Sequence, residues 1–244
     1  MPFAVQPIKL THADEKKYRT VPAPLPRPPL AMCIVAPRRS GKSSVVVNLV
    51  TQVYGRVFRE CIILSETIAH DSTYAPLGKL KNVSIHDTRK APIDNILLAQ
   101  IWARQEQVLL TDPEADLLVI MDDLGSKYRS KDMLAQMKKW SQLSRHPRIS
   151  YICIAQSMLN FSSEMISNAT SWILFKLNAR DLRKVSETLA TKEMDRDALG
   201  QYVSRNTTKS YSWVLINLIA EHDEDVYNVY DPDTKTFHSG LLSQ

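Results

Sequence analysis

The chain has 244 residues, of which 44% are hydrophobic and 23% are charged, enough to bury the core of one large α/β domain. The formal net charge of +5 permits a polyanionic partner without requiring one. No apolar stretch is long enough to span a bilayer and the N-terminus lacks the pattern of a secretory signal, so we expect a soluble intracellular protein without membrane insertion.

The N-terminal part of the chain contains a proline-rich segment, TVPAPLPRPPL, which ends at Leu30. Proline breaks helices and cannot donate to a central strand, so this segment forms neither. It could be a polyproline ligand for a recognition module. We favour an extended arm over residues 1–29, followed by one domain over residues 30–244.

From Leu30 onward, continuous apolar runs alternate with helical patterns. Such runs are typical of strands that are buried on both faces of a sheet, and they read LAMCIVA, CIILS, LLVIMDD, ISYICIAQS and SWILFKL. Helices are predicted at residues 41–54, 93–108, 131–144 and 179–189. The alternation predicts a mostly parallel central sheet with helices on both faces.

The chain's three cysteines, Cys33, Cys61 and Cys153, each lie in an apolar, strand-like run. An odd number without regular spacing argues against a disulfide framework or a metal site. We therefore expect buried free thiols in a reducing compartment.

After Gly200 the pattern changes to KSYSWVLINLIAEHDEDVYNVY, which has two apolar runs around an acidic turn. This pattern predicts a β-hairpin at the edge of the sheet. Residues 200–244 are therefore interpreted as a C-terminal hairpin extension of the domain.

A phosphate-binding loop is predicted between the first apolar run and the first helix. Walker A loops read G-x-x-x-x-G-K-[ST], and this chain departs from the pattern only in having alanine at the first position. Backbone N–H groups of such a loop wrap phosphates. Lys42 would reach the β- and γ-phosphates, and Ser43 would ligate Mg²⁺. The predicted nucleotide-binding residues are Ala36, Pro37, Arg38, Arg39, Ser40, Gly41, Lys42, Ser43 and Ser44.

Two adjacent carboxylates, Asp122 and Asp123, end the apolar run LLVIMDD. Carboxylates at the end of a buried strand repel each other unless a cation or water lies there. In a P-loop enzyme Asp122 would hold Mg²⁺, mostly through water, and Asp123 would polarise the attacking water. A second acid at this place is characteristic of ATPases that activate water rather than of kinases.

Further candidates follow these carboxylates. Gln156 ends the next apolar run, where it could sense the γ-phosphate or orient water, or could simply be a satisfied amide. Arg145, just before that run, is our first candidate for an arginine finger that acts across a subunit boundary. Arg148 is the second candidate, and Arg180 and Arg183 are the third.

The order of phosphate loop, LLVIMDDLG, arginine and a strand ending in Gln156 resembles the FtsK–HerA superfamily of DNA-pumping ATPases. Within it the chain is most similar to the poxvirus-type genome-packaging ATPases of large DNA viruses and their smaller relatives. The segment SNATSWILFKLNARDLRKV also resembles this superfamily, and the resemblance covers residues 30–189. Ala36, and aspartate rather than glutamate at Asp123, are departures from its pattern.

This resemblance implies a RecA-like P-loop ATPase that forms a homo-oligomeric ring, a hexamer or pentamer, with ATP and Mg²⁺ between subunits. Double-stranded DNA would pass through the pore and be gripped through its phosphates. The implied partner is a capsid vertex or portal protein, with the chain in the host cytoplasm or in the virion at that vertex. Pore-facing contacts are predicted for Lys127, Arg129 and Lys131, which could instead form a solvated basic loop.

Two other functions stay open. A P-loop nucleotide kinase is disfavoured by Asp123 and Gln156, and it would work without a ring or DNA. A non-catalytic nucleotide-binding assembly module is mildly favoured by Ala36 but disfavoured by the intact Lys42, Ser43 and aspartate pair. A GTPase is disfavoured because the chain has no Asn-Lys-x-Asp segment.

Overall fold

The computed structural model describes residues 16–68, 71–90, 93–192 and 194–239. Within these residues a single nine-stranded sheet forms the centre of the fold. Its strands are β1 (Ala31–Val35), β2 (Glu60–Ser65), β3 (Val83–Asp87), β4 (Leu117–Asp122), β5 (Ile149–Ala155), β6 (Ser171–Leu174), β7 (Trp213–Asn217), β8 (Tyr227–Asp231) and β9 (Thr236–Ser239).

The strand order is β3-β2-β4-β5-β1-β6-β7-β8-β9. The strands from β3 to β6 in this order are parallel, whereas β7, β8 and β9 add in antiparallel fashion at one edge. All five predicted strands and the antiparallel edge hairpin are confirmed. The sequence analysis missed β3 and β9.

Six α-helices lie entirely within the described residues: α1 (Lys42–Asn48), α2 (Asn95–Thr111), α3 (Lys131–Leu143), α4 (Ser163–Asn168), α5 (Ala179–Leu189) and α6 (Arg196–Asn206). The four predicted helices are present, but the first is irregular. After α1 it continues as a π-helical turn, Leu49–Val53, and a 3₁₀ turn, Tyr54–Arg56. No helix of the described chain is long and apolar enough to cross a membrane.

The sheet is covered on both faces, which explains why its strands are continuously apolar. Cys33 and Val119 point into one core with Trp102 of α2 and Trp140 of α3. Alternate residues of the same strands point into a second core with α1. The fold class predicted from the sequence is confirmed. The three cysteines are buried free thiols, as expected.

The described part of the predicted arm, residues 16–29, packs against the domain. The Tyr54 hydroxyl donates to the carbonyl of Pro26 at 2.9 Å, and the Asn217 amide donates to that of Pro24 at 3.0 Å. Tyr18 and Leu25 are buried. Residues 1–15 of the predicted arm and 240–244 of the predicted extension lie outside the described residues.

A buried carboxylate, Asp116, fastens this arm beneath the amino end of β4. Its Oδ2 accepts from the Tyr18 hydroxyl at 2.9 Å, and its Oδ1 accepts from Nε of Arg148, also at 2.9 Å. Lys17 forms an ion pair with the same carboxylate. Three donors therefore converge on one acid that is only 3% exposed.

Asp116→Ala should lower the free energy of unfolding by about 3 kcal/mol, because it removes the buried carboxylate that Tyr18, Lys17 and Arg148 all contact. Urea denaturation measures this change. The neighbouring exposed acid supplies the control: Glu114→Ala should change stability by less than about 0.5 kcal/mol. Equal effects of the two variants would contradict a fastening role for Asp116.

Candidate nucleotide-binding site

The loop between β1 and α1 has the backbone that a phosphate loop needs. Gly41 lies in the left-handed region at φ 97°, which glycine adopts without strain. Arg39 is also left-handed, at φ 60°. Ala36 is buried, is not among the residues with positive φ, and donates its N–H to the carbonyl of Ala155 at 3.0 Å. Alanine therefore fits the position where Walker loops have glycine.

Lys42 lies between the two carboxylates that end β4. Its Nζ is 2.9 Å from Oδ2 of Asp123 and 3.7 Å from Oδ1 of Asp122, and the side chain is 13% exposed. Because β1, β4 and β5 are parallel, their carboxyl ends meet at one edge of the sheet. The topology therefore brings the predicted lysine and the predicted acids together.

Asp122 is buried, and its two oxygens differ in their surroundings. Oδ2 accepts from the Tyr74 hydroxyl at 2.7 Å and from the Ser65 hydroxyl at 3.3 Å. Oδ1 has no hydrogen-bond donor among the described residues. Burial raises the pKa of Asp122, although the nearby Lys42 opposes this shift. A buried acceptor that has no hydrogen bond and only Lys42 at 3.7 Å is suited to a further cation.

Asp123 is held in a fixed orientation. Its backbone is left-handed, at φ 58°, which is unusual for a residue other than glycine and typical of functional sites. Gln156, at the end of β5, donates from Nε2 to Oδ1 at 2.8 Å. Burial tends to raise the pKa of Asp123, but hydrogen bonds from Lys42 and Gln156 and the charge of Arg38 hold it below its usual value. Asp123 is therefore an ionised, oriented carboxylate at neutral pH.

Two functional residues were missed in the sequence, Asp71 and Tyr74, which follow β2. Hydrogen bonds from Thr73 and Ser43 hold the pKa of Asp71 below its usual value, although its partial burial acts in the opposite direction. The Tyr74 hydroxyl donates to Asp122, and Ser43 lies near enough to influence the pKa of Tyr74. Both residues belong to the segment DSTY, and its place after a parallel strand next to β4 is the signal that could have identified them.

The oxygen atoms of Ser43 and Asp122 fit a Mg²⁺ ion that is bound together with phosphates. Mg²⁺ prefers oxygen ligands and keeps several waters or substrate phosphates in its shell. Oδ1 of Asp122 has no other donor among the described residues, and Ser43 contacts the same cluster. No group of three or more His, Cys, Asp or Glu side chains in the described chain could hold a metal by itself. Phosphate oxygens would therefore complete the shell.

The candidate arginines lie elsewhere. Arg145 is exposed in the turn before β5, at the amino edge of the sheet. The seven residues of β5 span about 23 Å, so this side chain is far from the phosphate loop of its own subunit. Arg148 is engaged with Asp116, and Arg183 pairs with Glu187 on an exposed helix face.

The residues predicted to contact DNA follow the acidic pair. Lys127 forms an ion pair with Glu66, which follows β2. Arg129 donates from Nη1 to the carbonyl of Leu159 at 3.1 Å, and Lys131 is exposed at the start of α3. Two of the three side chains therefore have partners within the subunit, and their contact with DNA stays a prediction.

Solved structures show what this fold is similar to. No protein-family model and no curated protein matches the sequence. The genome packaging NTPase B204 of Sulfolobus turreted icosahedral virus 2, in complex with ATP-gammaS, matches with a TM-score of 0.59 at 15% identity, over 82% of this chain and 96% of that one. Its complex with sulfate matches with a TM-score of 0.62 at 15% identity, over 85% and 98%.

A second match is the cytoplasmic domain of the Type VII secretion ATPase EccC of Thermomonospora curvata. It has a TM-score of 0.55 at 15% identity, over 77% of this chain and 24% of that one. Identities this low show the fold alone. The chain therefore has the RecA-like P-loop ATPase fold that its sequence predicted, shared with a viral genome-packaging NTPase and a secretion ATPase.

Asp122→Asn should raise the melting temperature at neutral pH by about 2–4 °C, the shift expected for about 1 kcal/mol in a chain of this size. The raised pKa of Asp122 means that its ionised form opposes folding. Burial of that charge costs stability above the folded-state pKa, and this cost disappears as pH falls below the unfolded-state value.

The rise in melting temperature of Asp122→Asn over the wild type should therefore become smaller as the pH falls. Thermal melts of both proteins between neutral pH and about pH 4 measure this trend. Asp223→Asn, at an exposed acid, is the control and should show no such trend. A stabilisation that is independent of pH would contradict the assignment.

Proposed function

We propose that the chain is an ATPase that couples hydrolysis to the translocation of double-stranded DNA, and that it packages a viral genome into a capsid. The observation that carries this proposal is the contact of Lys42 with Asp123, itself oriented by Gln156, beside a buried and incompletely paired Asp122. These residues are what hydrolysis of a nucleoside triphosphate requires. The fold shared with a genome packaging NTPase supports the choice of DNA.

Each residue of the site has a separate proposed role in hydrolysis. Phosphates would lie on the loop from Ala36 to Ser43, and Lys42 would exchange its contact with Asp123 for the β- and γ-phosphates. Asp123, released from the lysine, would accept a hydrogen bond from the attacking water and orient it. Ser43 and Asp122 would hold Mg²⁺, which neutralises phosphate charge when it is bound.

Gln156 contacts Asp123, the proposed general base, rather than the substrate. Its amide donates to one oxygen of Asp123, which leaves the other oxygen for the lysine or for water. Side chains at the ends of two parallel strands, β4 and β5, together with Lys42 at the start of α1, therefore define the direction of attack. A nucleotide kinase does not need a carboxylate that orients water, because its acceptor attacks the γ-phosphate in place of water.

The oligomeric ring is proposed because of the position of Arg145 in the subunit. This exposed arginine lies at the opposite edge of the sheet from the phosphate loop, so it can complete only a neighbour's site. A head-to-tail contact of this kind forms a ring when the rotation between neighbours closes, and the proposed ring is a hexamer or pentamer. Duplex DNA in the pore would meet Lys127, Arg129 and Lys131, and the ring would dock on a portal or other capsid vertex protein.

Lys42→Ala and Asp123→Asn should each lower ATP turnover by about 100-fold or more, because they remove the phosphate cation and the oriented base. Duplex DNA should stimulate turnover of the wild type but not of either variant. Release of inorganic phosphate with and without duplex DNA measures both effects. Lys192→Ala and Asp223→Asn, at exposed positions, are the matched controls and should retain wild-type rates.

The other outcomes identify the competing functions. Turnover that requires a nucleoside or nucleotide acceptor would indicate a kinase and contradict the motor. Tight ATP binding without turnover would indicate a non-catalytic assembly module.

Mixing inactive Arg145→Ala subunits with inactive Lys42→Ala subunits should restore part of the activity. In a one-to-one mixture, about a quarter of the interfaces combine an intact phosphate loop with an intact neighbouring arginine. Turnover as a function of mixing ratio measures the rescue, and Arg180→Ala in place of Arg145→Ala is the control. Absence of rescue at every ratio would contradict the role of Arg145.

A further inference from the structure

A tyrosine from outside the nucleotide motifs lies against the phosphate loop. Tyr211 belongs to the turn between α6 and β7, 170 residues after Gly41 in the chain. A Cβ atom placed on Gly41 would lie 2.6 Å from Cδ1 of Tyr211 and 3.3 Å from its Cε1. The aromatic ring therefore occupies the space next to the glycine that precedes Lys42.

The aromatic ring of Tyr211 is not part of either hydrophobic core. Tyr211 is 60% exposed, whereas Trp213, two residues further along, is buried. Within the described residues, no aromatic neighbour and no hydrogen bond of its hydroxyl accounts for its position. Burial therefore does not explain why an aromatic residue stands here.

The backbone of Tyr211 is strained. Its φ of 65° lies in the left-handed region, which costs a bulky residue free energy that glycine or asparagine would avoid. Of five non-glycine residues with positive φ in the described chain, Arg39 and Asp123 also belong to the nucleotide site. Strain of this kind persists where the surrounding structure enforces it, and it concentrates at functional sites.

The turn that carries the ring is anchored. Lys209 forms ion pairs with Asp231, at 2.8 Å, and with Asp233, which fasten the turn to the β8–β9 hairpin. The Ser212 hydroxyl donates to the carbonyl of Lys209 at 2.7 Å and closes the turn. The ring is thus presented to the phosphate loop from a fixed support.

We propose that Tyr211 is a nucleobase-stacking residue, whose ring packs against the purine of a nucleoside triphosphate bound at the phosphate loop. This inference rests on the proposed function, since it assumes that the loop binds the phosphates. The nucleoside of a bound triphosphate extends beyond the phosphate loop, and its flat base is stabilised by an apolar surface. The exposed aromatic ring of Tyr211 beside Gly41 offers such a surface. Stacking requires no hydrogen-bond readout, so adenine and guanine should both be accepted.

The test is isothermal titration calorimetry of Mg-ATP and of Mg-tripolyphosphate, which lacks a base, on the full chain. Tyr211→Ala should weaken Mg-ATP binding about tenfold, the loss expected for one base–aromatic contact, and leave tripolyphosphate binding within about twofold. Tyr211→Phe should retain wild-type affinity for both ligands.

Tyr211→Asn separates binding from folding. Asparagine tolerates the left-handed region, so this variant should melt no lower than the wild type and still lose Mg-ATP affinity as the alanine variant does. A variant that melts lower and loses affinity for both ligands would overturn the proposal in favour of a structural role.

Two further results would overturn the inference while leaving the proposed function intact. Unchanged Mg-ATP affinity in Tyr211→Ala would show that the base lies elsewhere. Tighter binding of both ligands would show that the ring obstructs the loop. If the wild type bound neither ligand, the proposed function would itself be contradicted and this inference with it.

Discussion

One ammonium group balances two carboxylates at the carboxyl edge of the sheet. Lys42 contacts Asp123 and lies near Asp122, and neither acid could ionise easily at the end of a buried strand without it. The same positive charge is what triphosphate oxygens require. In the proposed function, the triphosphate of a bound nucleotide would replace these carboxylates as the partner of Lys42.

Neighbouring parts of the structure serve this small charged centre. The rigid parallel sheet places β1, β4 and β5 side by side, so that Lys42, Asp123 and Gln156 meet although they are distant in sequence. Tyr74 and Ser65 donate hydrogen bonds to one oxygen of Asp122, whereas the other oxygen has no hydrogen bond and only Lys42 at 3.7 Å. A buried oxygen without a hydrogen bond costs stability, and this cost is consistent with the proposed binding of a cation at Asp122.

The sequence predicted what local patterns encode. Five strands were evident because burial on both faces makes them continuously apolar, and the Gly-Lys-Ser loop and the aspartate pair were read from adjacent residues. β3 was missed because its residues, VSIHD, are half-buried and mix polar with apolar side chains. Tyr211 reaches the site only through a tertiary contact, and Asp71 could have been identified only from the position of β2 next to β4 in the sheet, which the local sequence does not give. The ion pair between Lys127 and Glu66 was beyond prediction for the same reason.

The central claim is that nucleotide phosphates replace the carboxylates around Lys42. A crystal structure of the chain with Mg²⁺ and ATPγS tests it most directly, through the position of Nζ of Lys42. The account predicts that Nζ leaves Oδ2 of Asp123, now 2.9 Å away, and lies within hydrogen-bond distance of a phosphate oxygen. A bound nucleotide with the Lys42–Asp123 ion pair unchanged would contradict it.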